Sequence, residues 1–147
     1  IDFAAQPGNL PAGPVFELGL GNGRTYDHLR ERFPGREIFV FDRQVAAHPD
    51  CIPDAAHMVL GDIAETLPRT VLRWRGRVAF VHSDLGSGDA AIDRATARTV
   101  APLIAEALAP NGLVVSDQAL VIAGWQALPP PPGIAESRYF LYRKPRA

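Results

Sequence analysis

The sequence predicts an α/β domain built on a doubly wound, mostly parallel sheet with a short C-terminal strand pair. Three observations carry that expectation. Short apolar runs alternate with longer helical patterns along the chain. Some runs, such as Val78-Ala79-Phe80-Val81, are apolar at consecutive positions, as in a strand buried on both faces. Glycines or acids follow the runs, at the strand ends where such sheets bind ligands.

The elements follow in order. Residues 1–13, rich in Pro, Gly and Ala, form a lead-in segment, and residues 14–147 form the domain. The chain begins at Ile1 rather than Met, so a native N-terminal stretch is expected to be missing. Val15–Leu18 is the first strand. A helix over 24–33 carries Tyr26, Leu29 and Phe33 on one stripe, and Pro34-Gly35 ends it. The second strand, 37–41, is β-branched and aromatic. Residues 46–55 form a loop with a short helical turn, broken by Pro49 and Pro53, and 57–60 is the third strand. Ile63–Trp74 is a helix whose Pro68 belongs in a first turn or at a kink. Residues 77–82 make the fourth strand. The helix over 89–108 turns Ile92, Val100, Leu103, Ile104 and Leu108 inward and bends at Pro102. Pro110-Asn111-Gly112 is a stop and turn before a fifth strand over 113–116. Residues 125–128 and 139–142 are a final strand pair, joined through 129–132.

Composition narrows the function. The 147 residues suit one domain. A content of 47% apolar and 21% charged residues excludes global disorder. A net charge of −1 and a pI near 6.5 give no basic excess for nucleic acid. Arg69, Arg73, Arg75 and Arg77 read as a solvated helix face and turn. Cys51 stands alone, which excludes an intrachain disulfide and a cysteine-rich zinc cluster. With no long apolar run and no signal-peptide pattern, a cytoplasmic protein without a membrane partner is expected.

The first strand runs into Glu17-Leu18-Gly19-Leu20-Gly21-Asn22-Gly23. Alternate glycines allow a tight turn and close approach of backbone to a ligand. The next helix starts at once and adds its free N–H groups. A dinucleotide fingerprint would space its glycines G-x-G-x-x-G, whereas this chain has G-x-G-x-G after an acid. Asp42 ends the second strand about twenty residues on, where a ribose-binding acid belongs. Capping of the next segment is its plainer role.

Glu17–Gly23 together with Asp42 resembles the cofactor motifs of class I S-adenosylmethionine methyltransferases. The resemblance spans residues 15–143 and is similar in scope to small single-domain bacterial members of unassigned acceptor. It implies a Rossmann-like methyltransferase fold, S-adenosylmethionine as cofactor and methyl transfer at O or N of a small-molecule acceptor. Glu17, Leu18, Gly19, Leu20, Gly21, Asn22 and Gly23 would hold its amino-acid portion and ribose, and Asp42 with Arg43 the ribose side. Asp62 and Ile63 would meet the adenine, with Asp62 also a good N-cap for its helix.

The fourth strand ends in His82-Ser83-Asp84, near the methyl group in that family. Ser83 and Asp84 join the cofactor set, and Asp84 or His82 is the proton acceptor, with Asp117 nearby. A strand histidine satisfied by a neighbour is the plainer reading of His82. The Asp/Asn-Pro-Pro-aromatic motif of amino-methylating nucleic-acid enzymes is absent here. Metal-dependent catechol-type members place Asp, then Asp-Asn, where this chain has Asp84, Asp117 and Gln118. Those three would be the magnesium site, but Gln in place of Asn argues against a metal. Tyr26, Trp125 and Tyr139, with the prolines of 129–132, could line the acceptor pocket.

Two other readings remain open. One is a non-catalytic protein that binds S-adenosylmethionine or S-adenosylhomocysteine. The other is a nicotinamide-dependent oxidoreductase, opposed by the glycine spacing and by the lack of a Tyr-x-x-x-Lys pair. A homodimer is compatible with the sequence.

Overall fold

The computed structural model describes residues 1–146. Seven strands form one sheet in the order β3-β2-β1-β4-β5-β7-β6. They are β1 (Val15–Leu18), β2 (Ile38–Asp42), β3 (Met58–Leu60), β4 (Val78–Ser83), β5 (Leu108–Ser116), β6 (Ala127–Leu128) and β7 (Phe140–Arg143). Strands β1 to β5 pair in parallel, and β7 pairs antiparallel with both β5 and β6. The helices are α1 (Arg24–Arg32), α2 (Ile63–Trp74) and α3 (Ala90–Ala107), with a 3-10 turn at Pro49–Cys51. This is the doubly wound α/β fold that the alternation predicts.

Side-chain alternation divides the core into two layers. Phe16, Leu18, Phe39, Phe41, Val81 and Val114 face α2 and α3. Val15, Val40, Phe80, Leu113 and Leu141 face α1 and the N-terminal segment, where Leu29, Phe33 and Ala4 cover them. Phe16, Phe41 and Phe80 are fully buried. Each such ring contributes roughly 1.5–3 kcal/mol by leaving water. Both faces of the central strands are apolar because both are covered.

The helix ends follow from local chemistry. Asp62 accepts from the Ala64 amide at 2.9 Å and caps α2. Asp89 accepts from Ala91 and Ile92 and caps α3. Pro68 lies inside α2, past its first turn, and Pro102 lies inside α3.

Two expectations need correction. Ile92 was expected inside but is 56% exposed. The inner stripe of α3 is Asp93, Ala97, Val100, Ala101 and Ile104, and Ile92 sits one position off it. Pro110-Asn111-Gly112 was expected as a turn ahead of the fifth strand, but it lies within β5. The register between β4 and β5 shifts between Val78 and Phe80, so this stretch forms a bulge. Proline is tolerated there because a bulge frees its position from donating, and Asn111 takes φ 66.

Strand order reverses between β1 and β4, where the chain crosses from one half of the sheet to the other. A crevice beyond the carboxyl ends is expected at that point.

Candidate functional site

The loop after β1 lies at that point. Gly19, Gly21 and Gly23 all have positive φ, at 97°, 51° and 84°. Glycine is required at Gly19 for a second reason. A Cβ there would lie 2.3 Å from the Asp84 carbonyl oxygen. The loop after β1 and the loop after β4 therefore pack backbone to backbone at Gly19, with the Leu85 side chain beside them. Nothing lies within 4 Å of a Cβ placed on Gly21, so the tip of the loop faces open space. Asn22 is exposed and accepts from the Arg24 amide at 3.0 Å, which caps α1 in place of Gly23.

Asp42 makes a bond that the sequence did not disclose. Its Oδ2 accepts from the amides of Leu20, at 2.9 Å, and Gly21, at 3.2 Å. Its Oδ1 accepts from Gln44 at 3.3 Å. The carboxylate clamps the glycine loop onto β2 and retains about one of its four acceptor directions. Arg43 and Asp62 meet at 2.9 Å across the ends of β2 and β3. Two apolar side chains stand exposed beside them, Leu60 and Val45. Ile63 is half-buried and packs against the α2 side of the core.

Leu18 and Leu20 are buried, so only their backbone reaches the crevice. Ser83 is buried on the α2 and α3 side. Asp84 is exposed beyond β4, and its amide donates to Leu18 at 2.9 Å. Asp117 follows β5 and is held by the Leu85 amide and the Gln118 side chain at 3.4 and 3.3 Å. Asp93, inside α3, accepts from the Ser87 amide and hydroxyl, both at 2.7 Å, and anchors the loop after β4. Those bonds hold its carboxyl below the usual carboxylate range. Among the described residues, no group of three His, Cys, Asp or Glu side chains is arranged to hold a metal ion.

Glu17 and His82 sit side by side on the α1 face, paired across β1 and β4. Both are buried, at 1% and 6% exposure. Glu17 Oε2 and His82 Nδ1 lie 3.3 Å apart, within ion-pair distance but out of hydrogen-bond alignment. Burial pushes the Glu17 carboxyl above the usual carboxylate range, and His82 only partly offsets this.

A cavity of about 460 Å³ opens next to this pair. His82, Val115 and Leu141 form its floor, Thr25 and His28 of α1 one wall, and Pro130, Pro131 and Pro132 another. Tyr139 lines it, as the sequence suggested. Trp125 packs in the opposite layer and Tyr26 against the α1 layer, so neither lines it. Thr25 and His28 escaped the sequence reading, because helix phase alone does not say which side chains overhang a strand end. A hollow of about 550 Å³ at the other end of the strands holds Arg143 and Lys144. Their charged groups point at backbone carbonyls, those of Asn9 and Asn111 for Arg143 and of Ala105 and Leu108 for Lys144. Arg146 lines the same hollow, which lies away from the glycine loop.

Comparison with known proteins gives the family and the fold. A family profile described as S-adenosyl-L-methionine methyltransferase matches residues 1–144. A crystal structure of an S-adenosyl-L-methionine methyl transferase from Silicibacter pomeroyi DSS-3 superimposes with TM-score 0.86 and 50% identity, over 90% of this chain and 82% of that one. The antibiotic-resistance methyltransferase Kmr shares the fold, with TM-score 0.58 and 13% identity over 99% of this chain and 91% of that one. Trans-aconitate 2-methyltransferase of Rhizobium meliloti (strain 1021) is 36% identical over 70 residues, or 46% of this chain. That match spans 27% of the relative's length.

Proposed function

Because this chain belongs to the S-adenosyl-L-methionine methyltransferase family, we propose that it moves the cofactor's methyl group to O or N of a small-molecule acceptor. The observation that carries the reading is that one strand reversal holds both the glycine loop, with Asp42 bonded to it and the Gly21 tip uncovered, and the cavity over His82.

The residues present fit the cofactor. Gly21 leaves room for a ligand against backbone, and the free direction of Asp42 suits a ribose hydroxyl. Leu60 and Val45 offer apolar surface for a purine beside Asp62. When bound, the cofactor supplies an activated methyl group. The protein's part is to hold the acceptor in line with it, which is an effect of proximity and orientation. An O–H or N–H acceptor also needs a base, and Asp84 and His82 at the end of β4 are the groups in place.

The cavity also favours one kind of acceptor. Val115, Leu141, the prolines and Ile134 make much of its lining apolar, and no Lys or Arg is among the described residues lining it. The His28 imidazole is already held by Asp2 at 2.9 Å. A neutral, largely apolar acceptor suits this lining, whereas a tricarboxylate such as trans-aconitate would meet no Lys or Arg side chain there. Binding without catalysis is the second reading, since the same crevice serves both.

Calorimetry with S-adenosylhomocysteine tests the cofactor site. Incubation with S-adenosylmethionine and separate panels of neutral phenols, heteroaromatic amines and polycarboxylates tests transfer. Binding plus product from a neutral acceptor is expected. Failure to bind S-adenosylhomocysteine refutes the reading, and binding without transfer to any panel supports the non-catalytic one.

A further inference from the structure

Near the carboxyl ends of the strands, one row of side chains crosses the α1 face of the sheet. By strand pairing it runs Val40, Glu17, His82, Val115, Leu141. Two ionisable groups thus lie together in a row that is otherwise aliphatic. Packing does not account for them. A buried acid and imidazole without aligned hydrogen bonds are worth no more to stability than apolar groups of similar shape. The feature that distinguishes this row is the cavity over it.

The two ring nitrogens of His82 differ. Nδ1 is the buried one and lies against Glu17. The ring lines the cavity, so Nε2 is the nitrogen available to a molecule inside it. Taking the methyl-transfer reading above as its basis, we propose that Glu17 and His82 act as a pair on the acceptor. Glu17 is the positioning residue that keeps the proton on Nδ1, and His82 Nε2 receives the proton that the acceptor loses. As the acceptor's lone pair forms the new bond to carbon, the methyl–sulfur bond breaks with its electrons to sulfur. The O–H or N–H proton passes to Nε2, and the Glu17 carboxylate faces the imidazolium. This assignment moves Glu17 from the cofactor to the acceptor side, and it selects His82 over Asp84 as the base.

The other titratable groups around His82 are known. Asp84 follows on the same strand, and its charge also bears on Glu17. His28 of α1, with its partner Asp2, Tyr139 next to β7 and Ile1 with its amino group share the cavity.

Nitrogen-15 spectra of the whole protein, labelled at histidine and assigned with His82→Gln, report which ring nitrogen carries the proton. At mildly alkaline pH the wild type should carry it on Nδ1. In Glu17→Gln the amide can donate to Nδ1, so the proton should move to Nε2. Diethyl pyrocarbonate acylates an imidazole nitrogen with a free lone pair. Peptide mass mapping should therefore find His82 modified in the wild type and protected in Glu17→Gln. Methyl transfer in Glu17→Gln should fall by roughly 100-fold or more while S-adenosylhomocysteine affinity is kept. Glu17→Met guards against misfolding, because an apolar side chain in that row should keep Tm and still abolish transfer. A wild-type ring protonated on Nε2 or on both nitrogens would overturn the pair, as would a proton that stays put in Glu17→Gln. Loss of cofactor affinity in step with transfer would return Glu17 to the cofactor. If the wild type binds no S-adenosylhomocysteine, the methyltransferase reading fails, while the ring spectra still judge the pair.

Discussion

Asp42 provides the sharpest test of how the crevice is built, because two substitutions separate its charge from its shape. In Asp42→Ala the amides of Leu20 and Gly21 lose their acceptor. Leu20 is 3% exposed, so its amide has little access to water, whereas Gly21 is exposed and recovers a water bond. A hydrogen bond to an ionised group contributes roughly 1.5–3 kcal/mol, and a buried donor left unpaired costs about 1–3 kcal/mol. Counting the Leu20 bond fully and the Gly21 bond weakly gives a loss of roughly 2–4 kcal/mol. At about 2–4 °C per kcal/mol for a chain of this size, Tm should drop by roughly 5–15 °C. In Asp42→Asn the side-chain oxygen can still face both amides, and its NH2 meets only the exposed Gln44 amide. That variant should lose less than half as much by thermal unfolding. Both variants should weaken S-adenosylhomocysteine binding by roughly ten- to a hundred-fold, the value of one charged hydrogen bond. If Asp42→Ala unfolds at the wild-type temperature, the clamp does not hold the loop. If Tm falls but calorimetry shows full affinity, the carboxylate serves the loop alone.

Other expectations follow from the same geometry. Gly19→Ala should sharply reduce Tm, because its Cβ overlaps the Asp84 carbonyl. Gly21→Ala, at φ 51° with nothing in contact, should cost only about 1–2 kcal/mol by urea unfolding. Asp93→Ala should speed amide exchange at Ser87, whose N–H and hydroxyl it holds, while exchange in the core strands stays slow. His57 is raised above 6.5, first by Asp54 and also by Glu37, and Asp54 is lowered below 3.8 by His57. A raised imidazole stabilises below its ordinary value and loses that contribution as pH rises through the folded value. A lowered carboxylate stabilises above its ordinary value and loses it as pH falls. The pair therefore counts most between 3.8 and 6.5. The Tm deficit of His57→Gln should be largest in that window and shrink at alkaline pH.

The parts of this fold legible in the sequence are those where covering both faces leaves an apolar run. Val15–Leu18 and Ile63–Trp74 have the bounds that their patterns predict, since each starts and stops at a residue with a physical reason to do so. Asp62 caps one and Gly19 turns the other. The bulge in β5 was hidden because Pro110-Asn111-Gly112 has turn chemistry whether or not strand pairing resumes beyond it. Asp93 was hidden because a buried acid breaks the apolar stripe from which inner faces are read. Within the site, the glycine loop and Asp42 were each legible as a candidate ligand contact, but not their bond to one another. Glu17 and His82 are each two residues beyond a core side chain, Val15 and Phe80, so each could be given a face. Their contact depends on the register of β1 against β4, which no local pattern encodes.

The run of prolines from 129 to 132 has a consequence for how any guest enters the cavity beside it. Each ring fixes its own φ, so this wall has little motion left to surrender when a molecule seats against it. Affinity there should be spared most of the ordering cost that a flexible lid incurs. The wall then discriminates by rigid fit, turning away molecules that are too wide rather than closing over those that are right. Exchange of Pro131 for glycine should broaden the range of molecules admitted and weaken the hold on each.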